Sequence, residues 1–270
     1  MAARKLRVGV IGLGMGKFHL QAYKRHPRVE IAAIADINPT RLKEVGDEFE
    51  VPLRYGEGKD MLRHEKLDIV SVATPNRLHK RHTIAALKTG AHVLCEKPMA
   101  MNANEAHQMN AVAKQLKRRI MIDFSYRFSE ASAALKHEVD KGALGDIYFG
   151  RTMWQRRRGM PGFGGWFGIK AESGGGPLID LGVHRLDLAL WLMGYPKPKW
   201  VMASTYDHIA SRIAKKEKKK FDVEDFAVGL ITFTNGATLE VEASWAGNIK
   251  EGELMQTRLL GTSGGLVQYN

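Results

Sequence analysis

At 270 residues the chain is long enough for two domains of ~100–200 residues each, and 44% hydrophobic with 26% charged residues excludes a disordered or collagen-like polymer. The net charge of +12 admits an anionic ligand, but the densest basic run, Lys215 to Lys220, has no interleaved aromatic residue and reads as a solvated loop, so nucleic-acid binding is not expected. The single cysteine, Cys95, excludes an intrachain disulfide or a cysteine-based zinc site, and no apolar run reaches the ~18 residues of a membrane span.

The chain opens on a short β-branched strand, 6–12, ending in glycines, followed by a helix to about residue 26. Further strands are predicted at 29–36, 67–75, 91–98 and 118–127. Between them lie a charged amphipathic helix from 39 to 48, a helix reaching residue 88 and one over 104–116. Near-continuous apolar strands alternating with helices specify crossover connections and a parallel sheet buried on both faces. The pattern changes near residue 122. A helix over 129–141 precedes a strand at 146–155, a long glycine-rich stretch and a helix over 180–193. Alternating strands then follow, with Asn235-Gly236 placed as a hairpin turn. The expected fold is α/β: a doubly wound parallel sheet over 1–122, then an α+β substrate-binding and oligomerisation domain over 123–270. The last residues, LVQYN, begin a strand that would leave a raw sheet edge, so a longer natural chain is expected. Charge at the N-terminus running straight into a strand shows no secretory signal, and a cytoplasmic location is expected.

Gly12-Leu13-Gly14-Met15-Gly16-Lys17 links the first strand to the first helix. Glycines there allow a sharp turn and close approach of a pyrophosphate to the helix N-terminus. The usual fingerprint places a third glycine where Lys17 stands, so the loop is one residue short. Asp36, 22 residues after Gly14 at the end of the second strand, can accept from the adenosine ribose, which favours NAD. Arg41 nearby could receive the extra phosphate of NADP, the alternative cofactor. Strand ends in such sheets face the ligand crevice. That rule places Thr74, Asn76 and His79 beside the cofactor, with Glu96 and Lys97. Lys97 could stabilise negative charge on a substrate oxygen. Asp180 and His184, four apart on a helix, share a face and suit general-base chemistry. No third ligand stands at a telling spacing, and no metal is expected.

The glycine loop followed by His19, Asp36, the run Ala73-Thr74-Pro75-Asn76 with His79, Glu96-Lys97-Pro98 and GGGPLIDLGVHRLDLALWLMG together resemble the Gfo/Idh/MocA oxidoreductases, over nearly all 270 residues. The resemblance implies a Rossmann domain followed by an open, largely antiparallel sheet. It implies NAD or NADP as cofactor and hydride transfer at a hydroxyl-bearing carbon of a sugar or polyol. It places the family's motif lysine at Lys97, its aspartate at Asp180 and its histidine at His184. His184 would take the hydroxyl proton, Lys97 would steady the oxygen, and Asp180 would orient the substrate. The cofactor would lie against Gly12, Gly14, Met15, Gly16 and Asp36. Family members run well past residue 270 and assemble as homo-oligomers, dimers or tetramers. Trp166-Phe167 departs from the family's Trp-Arg pair. The same scaffold also carries NAD-dependent glycoside hydrolases and non-catalytic dinucleotide-binding regulators; retention of Lys97, Asp180 and His184 argues against the latter. Tyr126, Arg127, Trp154, Arg156, Arg157, Arg158 and Trp166 form an expected substrate wall, with a core or surface-loop role as the alternative.

Overall fold

The computed structural model describes residues 4–269; the first residues of the charged N-terminus and the closing Asn270 lie outside them. The chain divides into two compact units, one ending at Asp123 and the other beginning at Phe124. No described helix is long and apolar enough to cross a membrane.

In the first unit, strands β1 (Leu6–Ile11), β2 (Val29–Ala35), β3 (Leu53–Tyr55), β4 (Ile69–Val72), β5 (His92–Cys95) and β6 (Ile120–Ile122) pair in parallel in the order β3-β2-β1-β4-β5-β6. The intervening helices are α1 (Gly16–Lys24), α2 (Pro39–Glu48), α3 (Gly58–His64), α4 (His79–Lys88) and α5 (Ala103–Gln115). Alternate side chains along a strand serve opposite faces. Val10 and Ile34 accordingly join Leu20, Val45 and Phe49 in one core layer, while Ile11, Ala33 and Ala35 join Met61, Leu87 and Met109 in the other. Each large side chain so buried contributes roughly 1.5–3 kcal/mol. Local signals set the helix starts. Asn38 accepts from the Arg41 N–H ahead of α2 with Pro39 in its first turn, and Asn102 accepts from the Glu105 N–H ahead of α5.

Two elements of this unit were not anticipated: β3, with three residues too short for any periodicity, and α3 after it. The strand expected over 118–127 keeps only three residues, and a 3-10 turn occupies Ser125–Phe128.

The second unit contains α6 (Glu130–Asp140), β7 (Ile147–Arg156), the single helical turn α7 (Lys170–Ser173), a π-helical turn (Leu178–Gly182), α8 (Val183–Leu192), β8 (Pro198–Tyr206), α9 (Ala210–Glu217), β9 (Phe226–Phe233), β10 (Thr238–Ser244), β11 (Glu253–Gly261) and β12 (Gly265–Tyr269). Its sheet runs β12-β11-β7-β10-β9-β8. Every pairing is antiparallel except β7 with β10. Asn235-Gly236 sits in the β9–β10 hairpin, as its turn chemistry requires. Leu188 and Leu192 of α8 pack with Leu259 and Leu266 under one face of the sheet. All of β8 is exposed, including Trp200, Val201 and Met202. The basic run is not wholly a loop. Lys215 and Lys216 end α9, and the Lys219 ammonium lies 5.3 Å from the Phe163 ring centre.

Candidate active site

The glycine loop is built by backbone constraint. Gly12 has φ of +87°, and a Cβ there would lie 2.5 Å from the Ala73 carbonyl oxygen, so both conformation and space demand glycine. Nothing lies within 4 Å of where a Cβ of Gly14 would stand, which leaves the outer side of the loop open. No side chain caps the N-terminus of α1 at Met15, and Met15 itself is exposed. Open space over glycine and uncapped N–H groups are the features a dinucleotide pyrophosphate requires.

Asp36 closes the loop from the side. One carboxylate oxygen accepts from the Leu13 N–H at 2.8 Å and the other from the Asn38 N–H at 2.8 Å. Arg41 donates to it at 3.3 Å while remaining half exposed. Asp36 therefore ties β2 to the glycine loop, and it fits a ribose acceptor with lone pairs to spare.

The ends of β4 and β5 are braced from inside. His79 is buried, with Nδ1 2.7 Å from the Pro98 carbonyl and Nε2 2.8 Å from the Thr74 carbonyl. Burial pushes its pKa down more than those two carbonyls raise it. A neutral ring donates to only one of them, and His79 acts as a strut between two loops rather than a presented ring nitrogen. Asn76 is buried in the turn between them, and the Thr74 hydroxyl is buried beside it. The Lys97–Pro98 bond is cis, and Lys97 is half-buried.

Glu96 is buried and turned inward. It accepts from its neighbour's backbone, Lys97 N–H, and meets His19 Nε2 at 3.0 Å; His19 also lies 3.4 Å from Asp123. Burial works against charge on His19, but hydrogen bonds to Asp123 and Glu96 outweigh it and raise its pKa to about 9. These three residues bring ligand-type atoms within 4.8 Å of one another. The sequence signal for this cluster was a histidine one turn into the first helix, noted only as part of a motif.

In the second unit Asp180 lies in the π-helical turn and His184 in the first turn of α8. Asp180 is buried and accepts from Trp245 Nε1 at 3.0 Å. His184 is half-buried between two aromatic rings, its centre 5.3 Å from that of Tyr126 and 5.7 Å from that of Trp154. Upstream of the π-turn, Glu224 accepts from the Gly176 and Leu178 N–H groups and pins the glycine-rich approach.

The expected substrate wall splits. Tyr126 and Trp154 cage His184. Arg127 forms a two-point ion pair with Asp187, and Arg156 pairs with Glu253 at 2.6 Å. Arg157 donates to the Glu251 and Lys250 carbonyls and Arg158 to Asn248. These arginines fasten the end of β7 to the loop before β11. Trp166 stacks on Phe167 at 3.9 Å, and Phe167 meets buried Trp245 edge-on.

Residues 6–124 match the oxidoreductase family with an NAD-binding Rossmann fold, and residues 132–267 match the GFO/IDH/MocA C-terminal domain. The chain belongs to the Gfo/Idh/MocA oxidoreductase family. It is 35% identical over 276 residues to D-glucoside 3-dehydrogenase of Escherichia coli K12, covering 100% of this chain and 78% of that protein. It is 31% identical over 264 residues to levoglucosan dehydrogenase of Pseudarthrobacter phenanthrenivorans, covering 89% and 68%. The solved structure of a levoglucosan dehydrogenase with NADH and levoglucosan superposes with a TM-score of 0.89 at 29% identity, over 98% of this chain and 73% of that one.

Two departures of this Gfo/Idh/MocA chain acquire a physical account. Lys17 points away from the fingerprint role and pairs with Glu48 of α2 at 2.7 Å. Gly16 takes that role one position early: a Cβ there would lie 2.7 Å from Val10 Cγ1, so glycine permits α1 to pack closely on β1. Phe167, in place of the family's arginine, belongs to the aromatic core around Trp245.

Proposed function

We propose that this chain is an NAD-dependent dehydrogenase that oxidises a ring hydroxyl of a sugar or glycoside. The observation that carries the reading is His184, held between Tyr126 and Trp154 one turn after the buried carboxylate of Asp180. Whole-chain similarity to two sugar dehydrogenases supports the substrate class.

Bound NAD supplies the hydride acceptor. Gly12, Gly14, Met15 and Gly16 accommodate its pyrophosphate and Asp36 its adenosine ribose, which disfavours a 2′-phosphate. Thr74, Asn76 and the Glu96–Lys97 turn shape the bed at the strand ends. His184 accepts the hydroxyl proton, Asp180 orients the sugar, and Lys97 donates to the oxygen as it becomes a carbonyl. His79 and Glu96 contribute by bracing the Lys97 turn. Aromatic faces beside His184 suit the apolar face of a pyranose. Self-association belongs to the same proposal, supported by the row Trp200, Val201 and Met202 on exposed β8. A reducing, cytoplasmic setting is consistent with one buried thiol.

The test is a titration with NAD and NADP followed by a screen of glucosides, anhydrosugars and polyols for NADH formation. NAD-selective binding with net NADH from a sugar is the expected outcome, and it also excludes redox-neutral hydrolysis. NAD binding without turnover of any CH–OH substrate would overturn the dehydrogenase reading.

A further inference from the structure

Arg185 follows His184 directly, yet its side chain is fully buried. Among the described residues no hydrogen-bond partner reaches its Nε, Nη1 or Nη2. Its guanidinium carbon stands 5.6 Å from the centre of the Tyr126 ring, the same ring that meets His184 at 5.3 Å. Tyr126 thus meets both a buried cation and the imidazole. Burial pushes the Arg185 pKa down to about 10, against a smaller opposing effect of Tyr126, and leaves the group charged at neutral pH. An unpaired buried charge destabilises a fold.

We propose that Arg185 is a positioning residue for His184: acting across the Tyr126 ring, its buried cation orients the imidazole and biases it toward the neutral, proton-accepting form. Arg127 is paired with Asp187, and Arg156 with Glu253, which also accepts from Trp154. A nearby carboxylate favours a charged imidazole, and a nearby cation opposes it. From the two ring distances, guanidinium and imidazole lie within about 11 Å of each other. At an effective dielectric constant of about 20 that separation shifts a pKa by about one pH unit. Arg185 is fully buried, so the coupling is weakly screened by salt.

The proposal rests on His184 being the proton acceptor, and its test separates the two. Arg185→Met and Arg185→Gln remove the charge by two chemically different routes, and replacing an unpaired buried cation by an apolar chain is compatible with folding. The His184 ring is titrated by NMR in each variant and in the parent, its signal assigned by its loss in His184→Gln. The expected result is a His184 pKa higher by about one unit in both variants, and an acid limb of kcat/KM displaced equally. A His184 titration unchanged in a folded variant overturns the proposal. A pKa that moves while the acid limb stays put upholds the Arg185 coupling and overturns His184 as the base.

Discussion

His19 Nε2 lies 3.0 Å from Glu96 Oε1, joining the first turns of α1 to the end of β5 inside the protein. The glycine loop and the Lys97 turn are therefore fastened to each other by a buried ion pair. The folded-state pKa of His19, about 9, lies above the 6.5 of an unperturbed histidine. A group raised on folding contributes its full stability below the unfolded value and loses it as pH climbs through the folded one. The contribution is about 3 kcal/mol for a shift of this size. The melting temperature is expected to fall between about pH 6.5 and pH 9, and His19→Gln to abolish that fall while lowering stability at pH 7. A scanning-fluorimetry series across that range decides it.

Asp36 holds Leu13, Asn38 and Arg41 at once. Asp36→Ser is expected to weaken NAD about tenfold, the loss of a charge-assisted hydrogen bond. It also frees Arg41 for a 2′-phosphate, so NADP should bind more tightly than to the parent. Calorimetric titration with both cofactors measures the exchange, and unchanged discrimination would remove Asp36 from the ribose.

Lys97 is half-buried on a turn braced by Glu96 and His79. Lys97→Ala is expected to cut kcat by at least ~100-fold while changing NAD affinity little, because the lost donor acts on charge that develops during reaction. An unaltered turnover number would exclude the role given to it.

Trp245, fully buried, donates to Asp180 at 3.0 Å. Trp245→Phe keeps an aromatic ring but removes one donor from a buried carboxylate. A stability loss of about 1.5–3 kcal/mol is expected, with kcat/KM down at least ~10-fold. Denaturant unfolding and steady-state kinetics read the two effects separately; a normal kcat/KM would show that Asp180 keeps its orientation without the indole.

Much of this was legible in the residues. The five long strand signals, Asp36 at a strand end and the helix carrying His184 follow from periodicity and spacing, which are local properties of the chain. What was not legible depends on neighbours distant in sequence. The π-turn at 178–182 leaves no mark on the 3.6-residue pattern, because the same small and apolar residues suit either helix. His79 reads as a ligand contact until two carbonyls, one five residues away and one nineteen, are seen to bracket it. Arg156, Arg157 and Arg158 look like an anion-binding wall, but their partners, Glu253, Glu251 and Asn248, lie some ninety residues on. Cys95 gives no sign in the sequence of where it sits. Full burial raises its thiol pKa to about 12 and makes it a core residue.

The lone parallel pairing in the second sheet joins two strands far apart in the chain. β7 and β10 are neighbours in space, yet the glycine-rich approach, α8, β8, α9 and β9 all lie between them in the chain. Closing so long a loop must precede the contacts that reward it. The segment bearing Asp180 and His184 lies within the loop that this pairing closes.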